Sequence, residues 1–445
     1  MDRDSVEPAV DDFPGQRASE WTEYHHEFAA PSTYVYDFVW DSDAPAIGPF
    51  CTDIDGNVLM DWTGHVGAMP LGYNNPKILN PLSALDLIDP TKIAGQDFYT
   101  TTGDDPKIPG PAGLMARLTE VSSQYDMDTV FLSNSGAEAV ENAIKISYDH
   151  RRGKYAITFE GSFHGRTLGA LSLNRSKEVY RRHFPEIPSV HDAPFCDDRH
   201  CTPDTCDCGF FAGDTSALRR MLDPETGHVN PEEVSYLILE PIQGEGGYRF
   251  PSEAFTTEIV DLATAHDIPI VVDEVQSGLG RTGEWWASDH YPIEPDVIAS
   301  AKALRVGATI SRSDVFPSET SRLSSTWGAG DILSSAQGAL TIDAIKEYDL
   351  LDNATERGRA FVERFRDATA GIDAVEDVRG KGLMLAVEFD TKDRRESVIE
   401  AGLQRGLLTM GCGHRTIRLL PPLDSTAREI ELGSELLRDA VEAVA

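Results

Sequence analysis

The sequence predicts an α/β protein: a large domain with a mostly parallel sheet flanked by helices, joined to a smaller α+β domain. Two observations lead there. Between about residues 129 and 302, short β-branched runs alternate with helical patterns, the signature of a parallel sheet covered on both faces. Beyond about residue 330 that alternation gives way to a long helix, a Gly-Lys-Gly turn, a strand and a terminal helix. The length is compatible, because 445 residues can bury a large core and suggest two or three domains.

Taken in order, the chain before about residue 75 is irregular and rich in aromatics, and it ends in a Gly64–Pro76 stretch full of turn signals. Thr129–Ser133 (TVFLS) reads as a strand. Ala137 to Arg151 follows as a helix with Val140, Ala143, Ile144 and Ser147 on one face. Further strands are expected at Tyr155–Glu160, Tyr236–Ile242, Pro269–Asp273 and Pro295–Ser300, and a later one at Leu383–Phe389. Ligands of such sheets bind beyond the carboxyl ends of the strands. No internal repeat or low-complexity segment is evident.

Charge narrows the setting. Asp and Glu number 74 against 39 Lys and Arg, a net charge of −35 spread along the whole chain, and the 10 lysines are outnumbered by 29 arginines. A solvated acidic shell of this kind suits a cytoplasm with very high salt, where screening weakens self-repulsion, so a halophilic protein is expected over an acidic mesophilic one. Such a surface repels nucleic acid and anionic membranes, so neither is an expected partner. There is no 18-residue apolar run, and Met1 to Glu20 is acidic and polar. A transmembrane span and a secretory signal are therefore not expected, and a cytoplasmic location is.

Four of the six cysteines lie together as Cys196, Cys201, Cys206 and Cys208, with His200 among them. Zinc sites usually show a tight C-x₂₋₄-C pair followed by a second pair, whereas C-x₄-C-x₄-C-x-C is loose. Reduced thiols in a surface insertion are expected, and no metal is; a metal-stapled loop is the alternative.

Three features carry chemistry. Ser133-Asn134-Ser135-Gly136-Ala137 joins a strand to a helix start, Asp273 closes an apolar strand, and Lys302 follows another apolar strand 29 residues later. A Ser-Gly turn at a helix N-terminus offers N–H groups and a positive dipole end to a phosphate. An aspartate at a strand end can pair with a pyridinium nitrogen. A lysine in an apolar setting has a lowered pKa and can form an imine and shuttle protons. Singly, each also reads as an ordinary cap, a turn aspartate or a lysine reaching to solvent.

Taken together these residues sit in longer motifs: DIDGNVLMDW (53–62), NSGAEAVENAIK (134–145), GSFHGRTLGALSL (161–173), LEPIQGEGGY (239–248), VVDEVQSGLGRTGEWWASDHYPIEPDVIASAK (271–302), SSTWGAG (324–330), RGKGL (379–383) and IRLLPP (417–422). With them the chain resembles the class III pyridoxal-phosphate aminotransferases, the ornithine and 4-aminobutyrate type, from about Asp53 to Pro422. The run around Thr326 and Trp327 looks most like the lysine 6-aminotransferase and 4-aminobutyrate aminotransferase branch.

The resemblance implies an aspartate-aminotransferase-like fold with a seven-stranded, mostly parallel sheet. Residues 76–330 would form the large cofactor-binding domain and 331–445 a small domain that residues 1–75 join. It implies that Lys302 is the Schiff-base lysine and proton carrier, that Asp273 holds the pyridine nitrogen, and that Gln276 holds the phenolic oxygen. Ser135, Gly136 and Ala137 would bind the phosphate, Phe163 would stack on the ring, and Thr326 would reach the cofactor phosphate of a neighbouring subunit. The active unit would then be a homodimer or a dimer of dimers, with its sites at the interface. Arg166 and Arg418 would bind carboxylates of the amino-acid and 2-oxo-acid substrates. Glu245 would cover Arg418 while an ω-amino acid is bound and swing away for a 2-oxo acid. The implied activity is transfer of a terminal amino group from 4-aminobutyrate, lysine or ornithine to 2-oxoglutarate. An amino-acid racemase or aminomutase of the same fold, and a non-catalytic regulator, are the alternatives. One departure stands out: Ala303-Leu304-Arg305-Val306 precede Gly307, where the family usually places glycines right after the lysine.

Overall fold

The computed structural model describes residues 1–32, 38–84, 110–187, 189–199, 201, 205–324, 326–327 and 331–444. Ser325 and residues 328–330 of the SSTWGAG run, and His200 of the cysteine segment, lie outside them. The chain divides into two compact units, Asn80–Glu347 and the pair Met1–Leu79 with Tyr348–Ala445.

The Asn80–Glu347 unit is built on the seven-stranded sheet. Its strands are β1 (Thr129–Ser133), β2 (Tyr155–Phe159), β3 (Val190–Ala193), β4 (Val234–Leu239), β5 (Ile270–Asp273), β6 (Val297–Ser300) and β7 (Gly307–Ser311), in the spatial order β1-β7-β6-β5-β4-β2-β3. All neighbours are parallel except β7, which runs antiparallel to both β6 and β1. β4, β5, β6 and β7 are buried at every residue, as near-continuous apolar runs in a two-sided sheet require. Helix α1 (Gly136–Arg151) buries Val140, Ala143, Ile144 and Ser147, the face read from sequence. It starts at Ser135, whose hydroxyl accepts from Glu138 N, and stops at left-handed Arg152.

Some boundaries differ from expectation, each for a local reason. β4 covers Val234–Leu239 rather than 236–242, because Glu240 leaves the ladder to accept N–H bonds from Phe163 and Gly244. β5 and β6 begin after Pro269 and Pro295, which cannot donate to a ladder. β3 is short and half-exposed, and β7 follows closely after Lys302; neither was anticipated. The single long helix expected after residue 330 is two, Ile332–Glu347 and Leu350–Thr369, broken at left-handed Asp349. The first of these belongs with Asn80–Glu347, so the compact division falls at 347/348 and not at 330/331. The cysteine segment is no simple surface insertion either, since Cys196 and Cys201 are buried in the core that includes Phe195, Phe210 and Phe255.

In the other unit the first residues join the last through strand pairing. Leu407–Leu408 runs parallel to Val58–Asp61, which pairs in turn with Phe50–Thr52. A four-stranded antiparallel sheet follows the order Val375–Lys381, Met384–Phe389, Thr416–Leu419, Met410–Cys412. The N-terminal stretch expected to be irregular also holds a helix, Gln16–Phe28. Among the described residues no helix is long and apolar enough to cross a membrane.

Candidate active site

Because β1, β2, β4, β5 and β6 run the same way, their carboxyl ends share one edge of the sheet, and the residues singled out from sequence collect there. Asp273 is the last residue of β5 and sits opposite Ala299 of β6. Lys302, three residues beyond Ala299, opens a single 3₁₀ turn, Lys302–Leu304, and is half-buried. The register of two buried strands thus brings the aspartate and the lysine to neighbouring strand ends.

The helix start is packed against both. A Cβ on Gly136 would lie 2.8 Å from Val275 Cγ1 and 3.4 Å from Ala301 Cβ. Only glycine lets α1 begin so close to the segments carrying Asp273 and Lys302. Asn134 N donates to Glu138 Oε2 at 2.7 Å. Thr326 Oγ1 accepts from Asn134 Nδ2 at 2.8 Å and donates to Glu138 Oε2 at 3.0 Å, so in the single chain Thr326 rests at its own α1 start. The first N–H groups of a helix have no partner within the helix, and with the dipole such a start at Ser135, Gly136 and Ala137 is of the kind that can receive an anion.

Asp273 is buried. One oxygen lies 2.8 Å from His164 Nδ1, and the other accepts Val275 N at 3.0 Å. His164, which sequence reasoning left without a role, is held by its own N–H on Asn174 Oδ1 at 2.6 Å. Its Nε2 is buried with no hydrogen-bond partner among the described residues. A buried carboxyl group at a strand end is a suitable partner for a cationic ring nitrogen.

Two further buried acids escaped the sequence reading. Glu240 accepts Phe163 N and Gly244 N, one on each oxygen, both at 2.8 Å. Burial pushes it up to about 7, against the lowering pull of His164. Glu274 accepts the Ser288 N–H and hydroxyl at 2.8 Å and shares a 2.5 Å hydrogen bond with Ser277; burial lifts it to about 7 as well. The available signal was an acid placed directly after an apolar strand: Glu240 after Leu239, and Glu274 after Asp273 at the end of β5.

Around the rim, Phe163 is half-buried and packs edge-on against Tyr180, centroids 5.5 Å apart. Exposed Arg166 places its guanidinium 5.1 Å from the Tyr180 ring centre. Glu245 takes Lys177 Nζ at 2.6 Å and the Tyr180 hydroxyl at 3.0 Å; neither partner was singled out from sequence. Gln276 lies under the same turn, since a Cβ on Gly244 would meet its Oε1 at 2.7 Å. Arg418 belongs to the other unit, buried on the Thr416–Leu419 strand with Nη2 3.0 Å from Met410 Sδ. The missing glycines after the lysine are replaced by Arg305 in a left-handed conformation (φ 62°), its buried guanidinium lowered to about 10 by desolvation. Gly307 then allows β7 to pass Ser135, whose carbonyl would stand 2.2 Å from any Cβ there.

The chemistry these groups can perform is coherent. The helix start suits a phosphate, the buried Asp273 a protonated ring nitrogen, Phe163 a flat ring face, and Lys302 the amine that joins and moves protons. That set fits the cofactor the sequence resemblance implies.

Comparisons with known proteins agree. Residues 44–441 match the family model described as aminotransferase class-III. Acetylornithine aminotransferase of Methanopyrus kandleri is 32% identical over 404 residues, 90% of this chain and 94% of that protein. The structure of lysine aminotransferase from M. tuberculosis superposes with a TM-score of 0.83 at 26% identity, covering 96% of this chain and 100% of that one. Ornithine aminotransferase from Toxoplasma gondii shares the fold, with a TM-score of 0.78 at 24% identity over 96% of this chain and 94% of that one.

Proposed function

This chain belongs to the class III aminotransferases and uses pyridoxal phosphate, and from that premise we propose that it moves the terminal amino group of an ω-amino acid to 2-oxoglutarate. The donor is assigned to the group of 4-aminobutyrate, lysine and ornithine. The observation that carries the reading is the pairing of strand ends that sets Asp273 opposite Ala299, just before Lys302, with His164 fixed on Asp273. The names of the lysine and ornithine aminotransferases among its structural relatives support an ω-amino donor.

When bound, the cofactor supplies an electron sink for the carbon that loses or gains its amino group. The chain's own residues do the rest. Lys302 would hold the cofactor through its Nζ and would give and take a proton at the substrate carbon that bears the amino group. Asp273, oriented by His164, keeps the ring nitrogen protonated. Ser135, Gly136 and Ala137 hold the phosphate by N–H groups and the helix dipole. Phe163 would cover the ring, and Gln276 would hold its phenolic oxygen. Thr326 exchanges its bonds to Asn134 and Glu138 on assembly of a homodimer and reaches the neighbouring subunit's phosphate. Arg166 and Arg418 clamp substrate carboxylates. Glu245, which Lys177 and Tyr180 hold, is assigned as the group that distinguishes an ω-amino donor from a 2-oxo acid.

A panel of ω-amino donors with 2-oxoglutarate, run in molar KCl and scored by glutamate formed, tests the proposal. Turnover of a terminal amine that depends on the oxo acid is expected. Inversion of an α-centre without any oxo acid would make the enzyme a racemase and overturn it.

A further inference from the structure

Between β3 and the helix Ala217–Leu222 the chain makes an excursion whose regular structure, among the described residues, is a two-stranded pair at Phe211–Ala212 and Thr215–Ser216. Its four cysteines, 12 residues apart at the extremes (196 to 208), converge. The sulfurs of Cys196, Cys201, Cys206 and Cys208 all lie within 4.8 Å of one another, with 3.6 Å between Cys201 and Cys206 and 3.2 Å between Cys206 and Cys208. None is in a disulfide.

We propose that these four cysteines bind one zinc ion as a tetrahedral tetrathiolate that staples the excursion to the edge of the central sheet. Zinc–sulfur bonds of ~2.3 Å set tetrahedral sulfurs ~3.8 Å apart, so the observed spacings need shifts of well under one bond length. The surroundings are arranged for negative sulfur. Phe211 N donates to Cys206 Sγ at 3.3 Å, Phe210 N to Cys208 Sγ at 3.4 Å, and the Ser252 hydroxyl to Cys196 Sγ at 3.4 Å. Donors aimed at the ligating sulfurs are what a thiolate site requires from its surroundings. Thiols packed merely as small apolar groups have no need of them. The loose sequence spacing, which argued against a metal, is overridden by the antiparallel bridge that pairs Cys201 with Cys206.

The place of the staple matters. Asp197, adjacent to Cys196, takes Arg199 at 2.7 Å and Arg249 at 3.4 Å, and Arg249 also donates to the Phe195 carbonyl at 2.9 Å. Arg249 and Gln243 pair across the turn that presents Glu245. The staple is therefore linked through Asp197 and Arg249 to the turn that carries Glu245.

The test uses the full-length, cofactor-loaded protein under reducing conditions. Elemental analysis should find about one zinc per chain, as isolated or after incubation with zinc chloride and dialysis. The Cys206→Ser/Cys208→Ser variant should retain none, and Cys51→Ser should retain all of it. Should the double variant fail to fold, cobalt added to metal-free wild type must give the sulfur-to-metal charge-transfer absorption of a tetrahedral thiolate site. Folded wild type that takes up no zinc, stoichiometric iron in its place, zinc retained by the double variant, or cobalt binding without sulfur charge transfer would each overturn the assignment.

Discussion

The sheet-end site and the cysteine excursion belong to the same compact unit but are held together by opposite means. Asp273 and Lys302 are positioned by the register of β5 and β6, two strands buried at every residue. The excursion after β3 depends on side chains: Asp197 with its two arginines, and four sulfurs in one cluster. A hydrogen-bonded ladder places a residue at its end without further contacts, whereas a segment without a ladder must be pinned point by point. Changes at the ladder ends should therefore remove chemistry and leave the fold intact. Changes around the pinned turn should alter which substrate is preferred.

The largest expected effect tests the ladder side. Lys302→Ala should cut amino transfer by ~10⁴-fold or more, since it removes both the anchoring amine and the proton carrier. Borohydride should fix the cofactor to the peptide containing Lys302 in the parent enzyme, and label on any other lysine breaks the assignment. The turn side comes next. Glu245→Ala should slow the half-reaction of the ω-amine relative to that of glutamate by ~10²-fold, about 2.7 kcal/mol. Single-turnover spectra read each half separately, and equal losses would make Glu245 structural only.

His164 sharpens the comparison, because it supports a ladder residue by a side-chain bond. His164→Leu should slow turnover by ~10- to 10²-fold, as a hydrogen bond to a charged group is worth ~1.5–3 kcal/mol. His164→Asn, which can still donate to Asp273, should recover much of the loss. No recovery would mean the ring only fills space. Glu274 provides a smaller effect, measured in stability. Its pKa is about 7 in the fold against an ordinary 4.5. It therefore contributes stability that is complete below pH ~4.5 and is lost as pH rises through ~7. The same sign applies to general relief of the acidic surface, so the variant isolates the group. Glu274→Gln, able to donate to Ser277 and accept from Ser288, should flatten the fall in stability between pH 5 and 8 by ~1–3 kcal/mol. An unchanged slope would show Glu274 is ionised throughout. Least specific of all, the 74 acids facing 39 bases should make the melting temperature rise with KCl as screening increases, and a salt-independent value would remove the halophilic reading.

Much of this protein was legible from sequence alone because it is local. The apolar runs ending at Ser133, Asp273 and Ser300, the Ser135 cap and the buried face of α1 follow from residues close in the chain, where periodicity and capping chemistry act. So did the acidic shell, which is composition, and the family, which long ordered motifs carry. What only the tertiary structure decided depends on pairings far apart in sequence. His164 meets Asp273 across 109 residues, Glu240 takes the N–H of Phe163 across 77, and β7 inserts antiparallel between β1 and β6. The left-handed Arg305 standing where glycines were expected, and the closure of four loosely spaced cysteines, belong to the same class. No local propensity encodes them. Each exists because burial leaves a charged or polar group no partner but the one that packing brings to it, and packing is a property of the whole chain.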